Sequence, residues 1–356
     1  MTRILLTGAA GFICSNLCRY LLRRTDWEIV ALDRLDPAGA LSRLADCFRD
    51  FPDRIAMVHH DLRAAVSDYV ALELVTGGGK FKAAPFDYVA HLAAGSHVER
   101  AQKDPIGFLH DNVLGTAHIL DFVRMREVVT GKTLIFSTDE TVGPAPVGTA
   151  YGPNARQFPR NLYAASKAGG EMVAMAYAET FGIPTIITRC TNVIGPQGPG
   201  NAPGQNDEKF PVILCRKLLA GETVQIHTVD GVPCSRFYVH VRNVCGAVLH
   251  LLERGQCIDG RDGVGIYHIA GEREISNVEF VEFAAQTLGV EARFELVEWP
   301  PNRLKPDLRY CLDDAELRAL GWAPEVGFLD GLAETVRSYA PVTDTEPPTQ
   351  TAPAGR

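Results

Sequence analysis

Long hydrophobic runs are missing from this 356-residue sequence: no stretch approaches the roughly 18 consecutive apolar residues that a membrane-spanning helix needs. Positive charge is in deficit, with 35 Lys and Arg against 43 Asp and Glu and a formal net charge of −8. An acidic chain gains nothing from a phosphate backbone, so neither nucleic acid nor a membrane is an expected partner. No Cys-x-x-Cys pair occurs among the nine cysteines. Their odd number and apolar settings read as reduced, buried thiols of a cytoplasmic protein, not as a disulfide framework or a zinc site. Cys14 and Cys18 lie four apart, but no second ligand pair follows, so packing is the expected role and no metal is expected. The few apolar residues before the first glycines are too short for a signal-peptide core. What remains, 46% hydrophobic and 22% charged residues over about two domain-lengths, is ordinary globular composition.

The first half alternates short apolar runs with amphipathic stretches. Ile4–Thr7, Glu28–Asp33, Ala56–His60, Tyr88–Ala93, Thr133–Ser137 and Thr185–Arg189 read as buried strands. Ser15–Arg24 and Asn112–Val129 read as helices. Such alternation implies right-handed βαβ units and a parallel sheet covered on both faces. Thr76–Pro85, with three consecutive glycines, reads as a surface loop that does not meet the phosphate-loop pattern. Gly195–Asp207 is a long, glycine- and proline-rich loop of functional character. Residues 341–356 read as a disordered tail.

Gly8-Ala-Ala-Gly11 follows the first strand and opens a helix, the arrangement in which small residues let backbone approach a pyrophosphate. Asp33 ends the second strand about twenty residues on, where a carboxylate accepts from ribose hydroxyls and repels a 2′-phosphate, so NAD is expected over NADP. Tyr163 and Lys167 lie four apart on one helix face running to Phe181, and a nearby cation favours a phenolate base. Ser137-Thr-Asp-Glu140 ends an apolar strand, where doubly wound folds place ligands. Adjacent carboxylates there are costly unless protonated, paired or used.

Together these elements resemble the extended short-chain dehydrogenase/reductase family, and within it the nucleotide-sugar 4,6-dehydratases. The likeness runs from Arg3 to about Tyr339. It takes in His91-Leu-Ala-Ala-Gly-Ser-His-Val-Glu-Arg100, Ser137-Thr-Asp-Glu140, Tyr163-x-x-x-Lys167 and Arg189-Cys-Thr-Asn192. Glu208-Lys-Phe-Pro211, Arg236-Phe-Tyr-Val, Asn277 and Asp307-Leu-Arg-Tyr310 extend it. The resemblance implies a Rossmann-type α/β fold over 1–190, with a return segment near 234–255. A smaller α/β substrate domain over 191–340 and a homodimer built on helices from Asn112 and Asn161 are implied too. It implies that NAD lies against Gly8, Gly11, Phe12, Ile13, Asp33, Arg34, Asp61, Leu62, Leu92, Ala93, Ala94 and Ser96, together with Tyr163 and Lys167. A nucleotide-diphosphate sugar would meet Ser96, Thr138, Asn192, Lys209, Phe210, Arg236, Asn277 and Arg309, the two arginines clamping the diphosphate. In the implied cycle Tyr163 takes the O4 proton with Thr138 beside it, Glu140 removes the C5 proton, and Asp139 protonates the departing C6 hydroxyl.

Some positions depart from the family pattern. Cys14 replaces the third glycine, Gly95 stands in place of Glu, and Asp111 stands in place of Thr. Arg303-Leu-Lys-Pro-Asp307 is closer to the hexuronate decarboxylases. Three readings follow: a 4,6-dehydratase, favoured by the Asp139–Glu140 pair; a 4-epimerase or hexuronate decarboxylase; and a non-catalytic NAD-binding regulator.

Overall fold

The computed structural model describes residues 1–35, 40–126, 128–196, 209–300 and 305–340; the tail, residues 301–304 and most of the Gly195–Asp207 loop lie outside them. Thirteen strands occur among the described residues. The first six are β1 (Arg3–Thr7), β2 (Glu28–Asp33), β3 (Ile55–His59), β4 (Phe86–His91), β5 (Val129–Thr138) and β6 (Thr185–Cys190). The later ones are β7 (Asn192–Ile194), β8 (Val224–Val229), β9 (Val232–Pro233), β10 (Ser235–His240), β11 (Ile266–Ile269), β12 (Glu274–Ser276) and β13 (Phe294–Glu298).

A seven-stranded sheet has the order β11-β6-β5-β4-β1-β2-β3, and every pairing in it is parallel. Its strands are apolar along their length because helices cover both faces. Two cores result. One packs Leu17, Leu21, Val244, Val248 and Leu251 under one face; the other packs Leu5, Val89, Ile119, Ile135 and Ala174 on the opposite face. The doubly wound α/β class read from the sequence is what forms. The strand that periodicity did not reveal is β11, which comes back from the distal part of the chain to the sheet edge. Two small sheets, β12-β10-β7 and β13-β8-β9, with helices Phe210–Leu219, Asn277–Leu288 and Phe328–Arg337, pack around Phe280, Tyr238 and Leu332.

The helix expected over Asn112–Val129 is shorter and less regular. A π-turn occupies His110–Leu114, the helix proper covers Gly115–Arg126, and Val129 already belongs to β5. Val128, Val129 and Thr130 are β-branched, which suits the strand. The helix Leu162–Phe181 ends at Gly182, whose φ of 66° the missing Cβ permits. All nine cysteines are free thiols, and all but Cys257 are buried.

Candidate active site

Strand order reverses between β1 and β4, and ligands of open α/β sheets bind at the carboxyl ends beside such a reversal. A cleft of about 900 Å³ lies there. That is near the upper end for ligand sites and suits a large ligand or two together. Every residue expected at the cofactor, catalytic and substrate positions lines this cleft except Arg309.

At the dinucleotide end, Gly8 has φ of 71°, and a Cβ there would lie 2.7 Å from Ala93 Cα, so only glycine allows the turn to close on the β4 loop. The helix Phe12–Arg24 starts at Gly11 with no side-chain cap and no acid in its first turn. Its first amides therefore face the cleft as an anion seat. Cys14 is buried in the core, hydrogen-bonded to Cys18. Asp33 Oδ2 accepts from Ala10 N–H at 2.9 Å and Oδ1 from Leu35 N–H at 2.8 Å. These bonds fix the carboxylate in the lining of the cleft, where ribose hydroxyls would meet it. The donor set fits a dinucleotide.

At the reacting end, β5 delivers Thr138 into the cleft and a tight turn over 139–142 follows. Thr138 Oγ1 donates to Asp139 Oδ1 at 3.1 Å and accepts from Glu140 N–H at 3.4 Å. Asn161 caps the helix Leu162–Phe181 through Oδ1, 2.8 Å from Ala164 N, while its Nδ2 donates to Glu140 Oε2 at 2.6 Å. One side chain thus sets both the helix start and the Glu140 carboxylate.

Burial, reinforced by the charge of Glu140, pushes Asp139 up to about 7. Burial also raises Glu140, against the pull of the Asn161 hydrogen bond. Tyr163 is raised by burial and by Glu140, opposed by a hydrogen bond with Thr138. Burial lowers Lys167 to about 8. Lys167 Nζ donates to the Phe136 carbonyl at 2.6 Å. His97, with a φ of 124° that strains a non-glycine residue, lies in the cleft wall.

A model of the NAD dependent epimerase/dehydratase family matches residues 4–270. The chain belongs to that family. It is 32% identical over 343 residues to a dTDP-glucose 4,6-dehydratase of Streptomyces niveus, covering 95% of this chain and 92% of the relative. Among solved structures, the dTDP-glucose 4,6-dehydratase DesIV of Streptomyces venezuelae, with NAD bound, has a TM-score of 0.79. It is 35% identical, and the match covers 95% of this chain and 97% of that one. A UDP-glucose 4-epimerase of Thermus thermophilus, also with NAD, has a TM-score of 0.76 at 26% identity, over 95% and 99% of the two chains. The cofactor of the family is NAD, which the dinucleotide end described above fits.

In this family member the distal wall of the cleft is formed by Asn192, Lys209, Phe210, Arg236 and Asn277. Arg236 lines it with Nη1 and Nη2 donating to the Leu308 and Asp307 carbonyls, both at 3.0 Å. Arg309, expected to be its partner in a diphosphate clamp, is elsewhere. Its Nε pairs with Glu274 at 2.9 Å, and Nη1 donates to the carbonyls of Ala145, Pro146 and Thr149. It anchors the segment after the turn over 139–142.

Sequence reasoning missed two supports of the site. Asn161 is one, although its place two residues before Tyr163 was a usable signal. Glu171 is the other. It is fully buried, accepts from Ser137 Oγ and from Gln157 Nε2, and pairs with Arg189 at 2.8 Å. It sits one helical turn past Lys167, so the same helix face that carries the Tyr163 and Lys167 pair also braces β5 and β6. Glu171→Ala would leave the Arg189 guanidinium buried without its carboxylate. The expected loss is about 3–5 kcal/mol of stability, read as a lower denaturation midpoint.

Proposed function

We propose that the chain is an NAD-dependent nucleotide-sugar 4,6-dehydratase, a lyase that converts an NDP-hexose to an NDP-4-keto-6-deoxyhexose. The observation that carries the reading is the pair Asp139 and Glu140. The two are adjacent, Asp139 buried and Glu140 half-buried, both raised above ordinary carboxylates, and beside Tyr163 in one cleft. Losing water across two carbons needs one group to take a carbon-bound proton and another to give a proton to the leaving hydroxyl. Two carboxyls in different settings suit that division of labour.

In this proposal the nicotinamide, when bound, supplies the acceptor for hydride from C4 and the donor that returns it to C6. Tyr163 takes the O4 proton as C4 is oxidised, while Thr138 hydrogen-bonds beside it. Glu140, held by Asn161, removes the C5 proton once C4 is a ketone. Asp139, substantially protonated near neutral pH, gives its proton to the C6 hydroxyl as it leaves. Arg236 and Lys209 put cations at the diphosphate end. Residues 1–190 with the helix Val241–Arg254 and β11 form the cofactor unit, and the small sheets form the substrate unit. The deciding experiment presents NDP-hexoses to the purified protein and weighs the products. Loss of one water supports the dehydratase. A product of unchanged mass identifies a 4-epimerase.

We also propose a homodimer in the cytoplasm. Free thiols suit a reducing compartment. Ala174 and Ala178 are buried in the chain's own core and Met175 packs against that core, so these three do not supply the contact. The support comes from Leu109, Leu114, Met125, Leu162 and Met172, exposed on the neighbouring helices. Sedimentation should give twice the mass of a 38.8 kDa chain at micromolar concentration; the monomer mass would refute it.

A further inference from the structure

At the adenosine side of the cleft, an ion pair joins two flanks that are far apart in sequence. Arg34 follows Asp33 at the end of β2, and Asp111 sits in the π-turn beyond β4, on the other side of β1. The guanidinium and the carboxylate meet as a fork, with Nη1–Oδ1 at 2.5 Å and Nη2–Oδ2 at 3.1 Å. Asp61 stands 3.8 Å from the same Nη1, and Arg63 pairs with Asp61 while reaching to 3.9 Å from Asp111.

The surroundings are shaped to hold Asp111 in place. A Cβ on Gly95 would lie 3.0 Å from Asp111 Oδ2 and 3.2 Å from the Phe108 ring, tighter than ordinary contact. Asn112 fastens that glycine by both backbone groups, at 2.8 and 3.0 Å, and donates to Ser166 Oγ at 2.8 Å. The missing side chain at 95 makes the room that the carboxylate at 111 occupies.

An arginine next to the ribose carboxylate is the feature with which dinucleotide sites accommodate a 2′-phosphate. Asp33 repels such a phosphate, but a neighbouring Arg34 offsets the repulsion unless its own charge is engaged. We propose that Asp111 is a cofactor-specificity residue: by holding the Arg34 fork in a bidentate pair, it keeps that cation from a ribose 2′-phosphate and so enforces NAD over NADP. Asp33, Asp61 and Asp111 stand against Arg34, Arg63 and Arg43, the last of which acts on Asp33; removal of Asp111 leaves one positive charge in excess. The proposal rests on the placement of NAD in this cleft.

The test measures dissociation constants for NAD and NADP by calorimetry, after bound cofactor is removed, for the wild type, Asp111→Asn, Arg34→Met and the double variant. Asp111→Asn should raise NADP affinity relative to NAD about tenfold, equivalent to about 1.4 kcal/mol. The gain should shrink with added salt. Arg34→Met in the wild-type background should shift the ratio less than about twofold, because that charge is already engaged, yet it should abolish the gain in the double variant. A ratio unmoved in Asp111→Asn overturns the proposal, and so does a gain that survives loss of Arg34. A large loss of NADP binding in Arg34→Met alone would overturn it too, even were Asp111→Asn to fail to fold. A wild type that binds neither cofactor would instead overturn the placement of NAD itself.

Discussion

Glu140→Gln is expected to lower product formation by about 10²–10⁴-fold, the usual worth of a positioned acid or base, and to end deuterium uptake at C5 in heavy water. Glutamine keeps the volume and the hydrogen bond to Asn161, so the helix that begins beside it should remain in place. What it cannot do is accept a proton. Oxidation at C4 depends on Tyr163 and should continue in the variant, so exchange at C5 is the step that isolates Glu140. Tyr163→Phe should block the earlier step, leaving the substrate unchanged at both carbons. The reading is separable from epimerisation because inversion at C4 never breaks the C5–H bond. A wild-type product of unchanged mass without deuterium at C5 would show that Asp139 and Glu140 have other roles.

The parts of the fold legible in the sequence were those specified over short spans. Strands buried on both faces are continuous apolar runs, and the turn Gly8 to Gly11, the helix after it and Asp33 fall in chain order. What the sequence did not reveal depends on tertiary neighbours. β11 joins β6 across some eighty residues, and no local pattern in Ile266–Ile269 says which edge it will meet. Arg236 and Arg309 look equivalent in sequence, yet only one faces the cleft, because Glu274 on β12 captures the other. Lys167 has the spacing of an electrostatic partner for Tyr163, and its ammonium is also held on a carbonyl of β5, a contact that no local pattern announces. The Arg34–Asp111 pair spans 77 positions and exists only because β2 and β4 flank β1.

Asp139→Asn should trade activity for stability. The carboxyl is buried and raised to about 7, chiefly by burial and then by Glu140 beside it. With the folded value above the unfolded one, the native state holds the proton more tightly. This group therefore contributes most below about pH 4, and its contribution declines as pH rises to about 7. Above that range the wild type keeps a carboxylate charge buried beside Glu140, and an amide removes the cost. Asp139→Asn should accordingly be more stable than the wild type at pH 8, by roughly 2–4 kcal/mol, and nearly equal to it at pH 4. The same substitution should slow water loss by about 10²–10⁴-fold, more than it slows oxidation at C4, since no proton is available for the leaving hydroxyl. In the wild type, the dehydration step should fall as pH rises through about 7 and Asp139 ionises. In Asp139→Asn that limb of the pH profile should disappear. Chemical denaturation at the two pH values and single-turnover measurements of dehydration across the range check both halves. A variant destabilised at pH 8, or one that keeps the wild-type pH limb, would remove Asp139 from the role of the acid.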